Sequence, residues 1–356
     1  MKILDTTLRD GSYAINFQFT ANDTAIIAKE LEGAGFEFIE IGHGVGMGAS
    51  EAGQGVAAET DETYMKAAAD VLTTAKFGMF CIPGISKLEH IDLAAEHGMG
   101  FIRIGTNVED VADAEPFIAK ARSYGMFTSA NFMKAYVMEP AKFAEKVKMA
   151  EAFGAELLCL ADSAGSMFPD DLDRYFGAVR DVCDIPLGFH GHNNFEMAVA
   201  NSLRAYELGA AIIDSSLQGL GRGAGNTPTE IFLLVLESRG IHMGINPLEV
   251  MDVGEKYIKP FVERRGYESI DIVSGYAQFH SSFMGVIREF SGQYRIDPRR
   301  LIIAVCEEDK VNAPRELVER IAKKISQESE EVFTARFRLD RYYGSEQEDT
   351  KKAVKS

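Results

Sequence analysis

One repeating pattern constrains the fold of this chain more than any other. Between residue 1 and about residue 240, a short apolar run, a glycine-rich or polar loop and an amphipathic stretch ending at glycine recur roughly every 25 to 35 residues. The apolar runs are Lys2–Leu4, Phe36–Ile41, Phe77–Ile82, Phe101–Ile104, Phe127–Phe132, Leu157–Leu160, Pro186–His190 and Ala211–Ser215. The stretches between them have helical periodicity. In Thr20–Gly33, Thr20 is placed to cap, Asp23 follows three residues on, Ile27 and Leu31 repeat at helical spacing, and Gly33 is the predicted stop. Asn194–Leu208 carries Val199, Leu203 and Tyr206 on one face before Gly209.

Eight strand-then-helix units is the number that closes a (β/α)8 TIM barrel, whereas a doubly wound sheet usually has fewer strands. We therefore predict an α/β barrel domain over residues 1–245. From Pro247 the rhythm changes, and Pro247–Arg265, Ser274–Glu289 and Pro298–Ile325 read as helical. These place a helical C-terminal domain at 246–326. Residues 327–356 alternate acidic, aromatic and basic side chains before a polar run and read as a flexible tail.

Composition removes several classes of function. The 356 residues include 37 Lys+Arg and 54 Asp+Glu, a net charge of −17, so phosphate backbones and anionic lipid surfaces are repelled unless a basic patch is concentrated somewhere, and none is visible. Neither nucleic acid nor membrane is predicted as a partner, and no apolar run approaches the roughly 18 residues of a membrane span. The opening Met1-Lys2-Ile3-Leu4-Asp5 lacks the pattern of an export signal, which predicts a cytoplasmic location. Cys81, Cys159, Cys183 and Cys306 are far apart without Cys-x-x-Cys pairing and read as free, mostly buried thiols.

In a barrel of this kind catalytic groups sit at the carboxyl ends of the strands. The first strand is followed by Asp5-Thr6-Thr7-Leu8-Arg9-Asp10-Gly11, in which an Arg can stabilise a developing oxyanion and an Asp can ligate a divalent metal; a surface salt-bridge turn is the plainer alternative. At the seventh strand stands His190-Gly191-His192-Asn193-Asn194. Residues two apart in extended chain point to one side, so both imidazoles can reach one ion, although a pair of ordinary polar residues fits a lone His-x-His as well. After the eighth strand, Gly221-Arg222-Gly223-Ala224-Gly225-Asn226 is suited to seating a carboxylate or phosphate. One Asp and two His around a shared mouth would suit Mn²⁺, Mg²⁺, Co²⁺ or Zn²⁺ and leave positions for a keto acid.

These motifs, in this order, resemble those of the metal-dependent lyases and condensing enzymes of the DRE-TIM superfamily, the HMG-CoA lyase-like group. Within it the chain most resembles the 4-hydroxy-2-oxovalerate aldolases. Further resemblance lies in Ile39-Glu40-Ile41-Gly42-His43-Gly44, Pro83-Gly84-Ile85, Asp162-Ser163-Ala164-Gly165, Gly275-Tyr276-Ala277 and Ser281-Ser282-Phe283, and runs from residue 1 to about 325. The resemblance implies that Asp10, His190 and His192 hold a divalent metal, Mn²⁺ above all, and that Arg9 stabilises the enolate of bound pyruvate. It implies that Ser163 helps seat the keto acid's carboxylate, with Asn194 behind the ligands. The implied reaction is cleavage or formation of a 4-hydroxy-2-oxo acid, to or from pyruvate and an aldehyde.

The chain departs from the family pattern at one pair of positions. Where the family places a basic His three residues after the metal-binding Asp, this chain has Tyr13, and where it places a Tyr before Ser-Ser-Phe, this chain has His280. Tyr, with an ordinary pKa of about 10, is a poor base beside His at about 6.5, so we assign proton transfer to His280 and orientation of the substrate hydroxyl to Tyr13. His43, after strand two, is the competing base, with a loop-ordering hydrogen bond as the equal alternative. Phe80 and Ile82 share one side of strand three and could wall the aldehyde pocket, with core packing as the alternative.

Two other functions fit the same features. A Claisen-type acyl-CoA condensing enzyme of the isopropylmalate or homocitrate synthase kind resembles this chain less, because the Glu of its Glu-Arg-Ala-Gly-Asn loop is missing here. A catalytically inactive barrel serving as a binding subunit would fit the Tyr13 substitution but not retention of the ligands and Arg9. The resemblance also implies a homo-oligomer, or docking of an acylating aldehyde dehydrogenase on the helical domain.

Overall fold

The computed structural model describes residues 1–262 and 269–328. Eight parallel strands close into a barrel in chain order: β1 (Lys2–Asp5), β2 (Phe38–Glu40), β3 (Lys76–Cys81), β4 (Phe101–Asn107), β5 (Phe127–Met133), β6 (Leu157–Asp162), β7 (Leu187–Gly191) and β8 (Ile212–Ser215). The pairing of Lys2 with Ile212 and of Asp5 with Ser215 completes the ring. The predicted (β/α)8 fold is thus the observed one.

Alternation along each strand divides the residues between two environments. Outward-facing Ile3, Ile39, Met79, Ile102, Ala130, Leu158, Phe189 and Ile213 pack with the surrounding helices in one large apolar core. These helices are α1 (Ala21–Ala34), α2 (Asp61–Ala69), α3 (Leu88–Glu96), α4 (Glu115–Ser123), α5 (Pro140–Phe153), α6 (Pro169–Arg180), α7 (Ala198–Glu207) and α8 (Thr229–Ser238). The inward positions begin with an apolar floor of Leu4, Phe101, Leu157 and Ile212. One layer up they turn polar: Glu40, Arg103, Cys159 and Asp214 are all buried. The sequence thus closes the barrel's amino-terminal end with apolar side chains and fills the end toward the mouth with charge.

Thr20 caps α1 in a reciprocal box, its hydroxyl accepting from Asp23 N–H and Asp23 Oδ2 accepting from Thr20 N–H. The helix continues past Gly33 and stops at Gly35, which adopts φ 108°. A Cβ there would come within 2.5 Å of the Gly244 carbonyl oxygen, so backbone approach sets this terminus. Helix α7 starts at Ala198 instead of Asn194, because Asn193 Oδ1 accepts from Ala198 N–H and Glu196 takes a positive φ.

Beyond α8, the stretch predicted helical from Pro247 is α9 (Pro247–Val253), a π turn over Gly254–Ile258 and a 3-10 turn over Lys259–Phe261; Arg265 lies outside the described residues. The chain divides into two compact units, Met1–Gly266 and Tyr267–Ser356, so α9 belongs with the barrel and not with the later helices. The second unit contains α10 (Ser269–Ala277), α11 (Met284–Tyr294), α12 (Pro298–Glu308) and α13 (Arg315–Glu328). The Ser274–Glu289 segment is broken by a positive φ at Gln278 and a 3-10 turn at Ser281–Phe283, and Pro298–Ile325 is broken between Glu308 and Arg315. Phe279, Ile287, Leu301, Val305, Val318 and Ile321 form this unit's own core. The predicted tail falls, from residue 329, outside the described residues.

Candidate active site and metal centre

The mouth of the barrel is assembled from the first residues beyond β1, β2, β6, β7 and β8. Asp10 opens the 3-10 turn (Asp10–Ile15) that follows β1 after the Thr6-Thr7-Leu8-Arg9 connection. His190 lies within β7 and His192 one residue past it, so the strand's alternation delivers both rings to the same side, with centroids 5.0 Å apart. Asp10, His190 and His192 each offer a ligand atom within 4.8 Å of the others, and all three are buried.

Hydrogen bonds behind the rings define which nitrogen of each imidazole faces the site. His190 Nδ1 lies 2.9 Å from Asp214 Oδ2. Burial opposes ionisation of Asp214, but Arg103 and His190 outweigh it and hold its carboxyl below the usual range. The carboxylate accepts, so the neutral ring carries its proton on Nδ1 and keeps the Nε2 lone pair. His192 Nδ1 faces the Gly225 carbonyl at 3.3 Å, and a carbonyl can only accept. Its Nε2 therefore also keeps a lone pair. Burial, reinforced by the nearby Arg222 cation, pushes the His192 pKa well below the usual value, which favours the neutral, ligating form. One hard oxygen and two oriented imidazole nitrogens fit a divalent ion of the Mg²⁺ to Zn²⁺ series, with the ring orientations fixed from behind.

Arg9 stands beside this set. Its Nε donates to Glu40 Oε2 at 2.8 Å, its Nη1 to Asp10 Oδ1 at 2.7 Å, and its guanidinium lies 4.7 Å over the Phe80 ring. Burial works against ionised Asp10, yet Arg9 above all, with the two imidazoles and Arg222 nearby, holds its carboxyl far below the ordinary range. The buried charges continue inward: Arg103 donates to Glu40 Oε2 at 2.8 Å and to Asp214 Oδ2. A continuous path thus runs from Asp10 through Arg9, Glu40, Arg103 and Asp214 to His190, joining two metal-ligand candidates through the barrel interior.

The remaining predicted residues divide. Ser163 follows β6, buried, with its Oγ accepting from Lys134 N–H at 3.1 Å. Asn194 lies against Gly165 of the same loop, where a Cβ would meet the Asn194 backbone nitrogen at 2.5 Å. Tyr13 is near Asp10, Arg9 and Arg222, and burial pushes its pKa up to about 12. Both nitrogens of His43 are engaged by backbone: Nδ1 accepts from Val45 N–H and Nε2 faces the Gly55 carbonyl, while Phe17 stacks on the ring at 3.9 Å. Phe80 is packed beneath Arg9, in space left by Gly105, where a Cβ would come within 2.2 Å of the ring. Ile82 is half-buried in the turn after β3, its carbonyl accepting from Ile85 and Ser86 N–H. His280 belongs to the second unit, where it caps the 3-10 turn and its Nδ1 is 2.7 Å from Ser282 Oγ.

Sequence reasoning missed Glu40, Arg103 and Asp214. A signal existed for Arg103: a charged residue inside the apolar run Phe101-Ile102-Arg103-Ile104 must find buried partners of opposite charge. Asp5 and Asp162 also close strands, but their carboxylates serve local turns. Asp5 accepts from Thr7 N–H and Oγ1, and Asp162 from the N–H groups of Ser166 and Met167.

Residues 1–256 match the family model described as HMGL-like. The 4-hydroxy-2-oxovalerate aldolase of Moorella thermoacetica is 36% identical over 326 residues, 91% of this chain and 96% of that protein. An oxaloacetate decarboxylase of Mycobacterium tuberculosis is 42% identical over 238 residues, 67% of this chain and 70% of that protein. Among solved structures, the HMG-CoA lyase of Brucella melitensis superposes with a TM-score of 0.64 at 18% identity, covering 74% of this chain and 99% of that one, a likeness of fold.

Proposed function

The chain belongs to the HMGL-like family, and from that premise we propose that it is a divalent-metal-dependent pyruvate aldolase, a carbon–carbon lyase that cleaves or forms a 4-hydroxy-2-oxo acid. The observation that carries this reading is the convergence of Asp10, His190 and His192 within 4.8 Å, with Arg9 bonded to Asp10. These three residues would hold the ion, for which we assign Mn²⁺, and a bound ion supplies Lewis-acid polarisation of the keto oxygen.

The protein's own groups do the rest. Arg9 is locked by Glu40 and Asp10, so its guanidinium is a preorganised cation for the enolate oxygen that develops as the C3–C4 bond breaks. Ser163 Oγ accepts one bond from Lys134 N–H and still has a proton to donate to the keto acid's carboxylate. Asn194 steadies the loop that carries Ser163, and Ile82 contributes to the wall for the aldehyde. Phe80 supports Arg9. Tyr13, with its pKa raised by burial, keeps its proton and orients the C4 hydroxyl. His43 spends both ring nitrogens on backbone and orders the loop after β2; proton removal from the C4 hydroxyl is given to His280 on the sequence pattern alone.

A second reading has its own support in the 42% identity to an oxaloacetate decarboxylase. Breaking the C3–C4 bond of oxaloacetate releases CO2 and leaves the same pyruvate enolate, so Arg9 would serve both reactions. The deciding experiment measures pyruvate release from 4-hydroxy-2-oxo acids and from oxaloacetate, with and without Mn²⁺. The aldolase reading predicts metal-dependent turnover of the hydroxy acids, abolished in His280→Ala with Mn²⁺ binding retained. Turnover of oxaloacetate alone would establish the second reading, and full aldolase activity in His280→Ala would remove that residue's assignment.

The four cysteines stand as free thiols, in keeping with a reducing cytoplasmic location. No helix among the described residues is long and apolar enough to cross a membrane. We assign assembly to the second unit, where Tyr276 on α10 is 69% exposed. Its partner would be another copy of the chain or an acylating aldehyde dehydrogenase. Light scattering of the chain alone and mixed with such a dehydrogenase tests this, and a monomer in both samples would contradict it.

A further inference from the structure

Arg222 makes a bond that conflicts with the role of its neighbour. Its Nη2 lies 3.0 Å from His192 Nε2 and 3.0 Å from the Ser163 carbonyl oxygen, and its backbone N–H donates to Asp10 Oδ2 at 3.2 Å. A guanidinium has only donors. In this arrangement it therefore occupies the Nε2 lone pair of His192. The other ring nitrogen is committed to the Gly225 carbonyl, so His192 has no second lone pair to offer a metal. A divalent ion and the guanidinium must compete for one atom, and like charges at this range in a buried site repel.

The sequence around Arg222 permits the exchange. Gly221 is held, since a Cβ there would meet the Asn226 side chain at 2.5 Å. Gly223, on the other flank, is exposed and takes φ 62°. The guanidinium already touches the residue that presents Ser163 Oγ, the proposed seat of the keto acid's carboxylate. Its planar fork matches a carboxylate better than a single ring nitrogen, which can accept only one of its donors.

We propose that Arg222 exchanges partners: it holds His192 Nε2 in the metal-free protein, and when a divalent ion takes that nitrogen the displaced guanidinium pairs with the carboxylate of the 2-oxo acid beside Ser163. This rests on the reading of Asp10, His190 and His192 as the ligand set. It makes metal binding precede keto-acid binding and couples the two favourably, because the ion releases the cation that the acid requires. It also supplies a positive group at the mouth of a chain whose net charge is −17.

Calorimetric titration of metal-free wild type, Arg222→Ala, Arg222→Lys and Asp10→Asn with Mn²⁺, then with pyruvate, tests the exchange. Removing the competing donor is expected to tighten Mn²⁺ binding about tenfold in Arg222→Ala, the size of effect that loss of a charged hydrogen bond produces. Pyruvate affinity for the Mn²⁺-loaded variant is expected to fall at least about tenfold, with Arg222→Lys, which keeps the charge without the fork, in between. Equal or weaker Mn²⁺ binding in both Arg222 variants, or unchanged pyruvate affinity, overturns the proposal. If those variants match wild type while Asp10→Asn loses Mn²⁺, the ligand set stands and the exchange falls. If wild type and Arg222→Ala both fail to bind Mn²⁺, the ligand set and the exchange fall together.

Discussion

Arg9 carries a charge into a place where an isolated guanidinium would be costly to bury, and Glu40 and Asp10 are what make its position tenable. Its geometry is therefore set before substrate arrives. The opposite case is Asp5, also fully buried, which accepts two bonds from Thr7 but has no cation at hydrogen-bond distance among the described residues. Burial pushes its pKa up to about 7, with Glu230 and Glu40 adding to the rise against the Thr7 bonds. Because the folded value lies above the unfolded one, the folded state favours the protonated acid. The associated stability is present below pH 3.8, is lost progressively as pH rises to about 7, and is level beyond, a change of the order of 4 kcal/mol. Asp5→Asn lacks this loss, so its Tm relative to wild type should rise between pH 4 and 7 and then stay constant. Parallel Tm curves across that range would contradict the assignment. At this scale the sequence was legible where chemistry and strand ends coincide, as at Asp10, His190 and His192. At His43 it left a catalytic base and a loop-ordering hydrogen bond equally open, because no spacing rule reveals that Val45 and Gly55 will take both ring nitrogens.

Strands β2, β4 and β8 contribute one charged residue each to a layer inside the barrel, and Arg103 on β4 is its centre. It bridges Glu40, which holds Arg9, and Asp214, which holds His190. Arg103→Met would leave two buried carboxylates short of their cation, at a cost of about 3–5 kcal/mol. It would also loosen the group that orients His190, so Mn²⁺ affinity should fall about 10- to 100-fold. Denaturant unfolding and calorimetry check both, and wild-type Mn²⁺ affinity in a folded Arg103→Met protein would contradict the positioning role. The strand count and the cap of α1 followed from periodicity and a capping box, which are local. Helix ends did not, because Gly35 stops α1 through a contact with Gly244, more than two hundred residues away in sequence. Likewise the breaks in the second unit at Gln278 and before Arg315 interrupt segments whose apolar spacing continues across them.

At the scale of the whole molecule, a strongly acidic chain concentrates buried cations at one end of a barrel. Buried Arg9 and Arg103 and half-buried Arg222 lie on or beside the path between the three ligand candidates, in a chain whose net charge is −17. The attraction for a keto acid is therefore local and depends on the ion and these arginines. That dependence gives the account its most direct test: deuterium uptake at the pyruvate methyl group, followed by mass spectrometry in D2O with Mn²⁺ and without any CoA compound. The account predicts exchange by wild type that stops when EDTA removes the ion and falls about 10²- to 10³-fold in a folded Arg9→Met variant. Exchange that survives EDTA, is unchanged in Arg9→Met, or requires an acyl-CoA would contradict it.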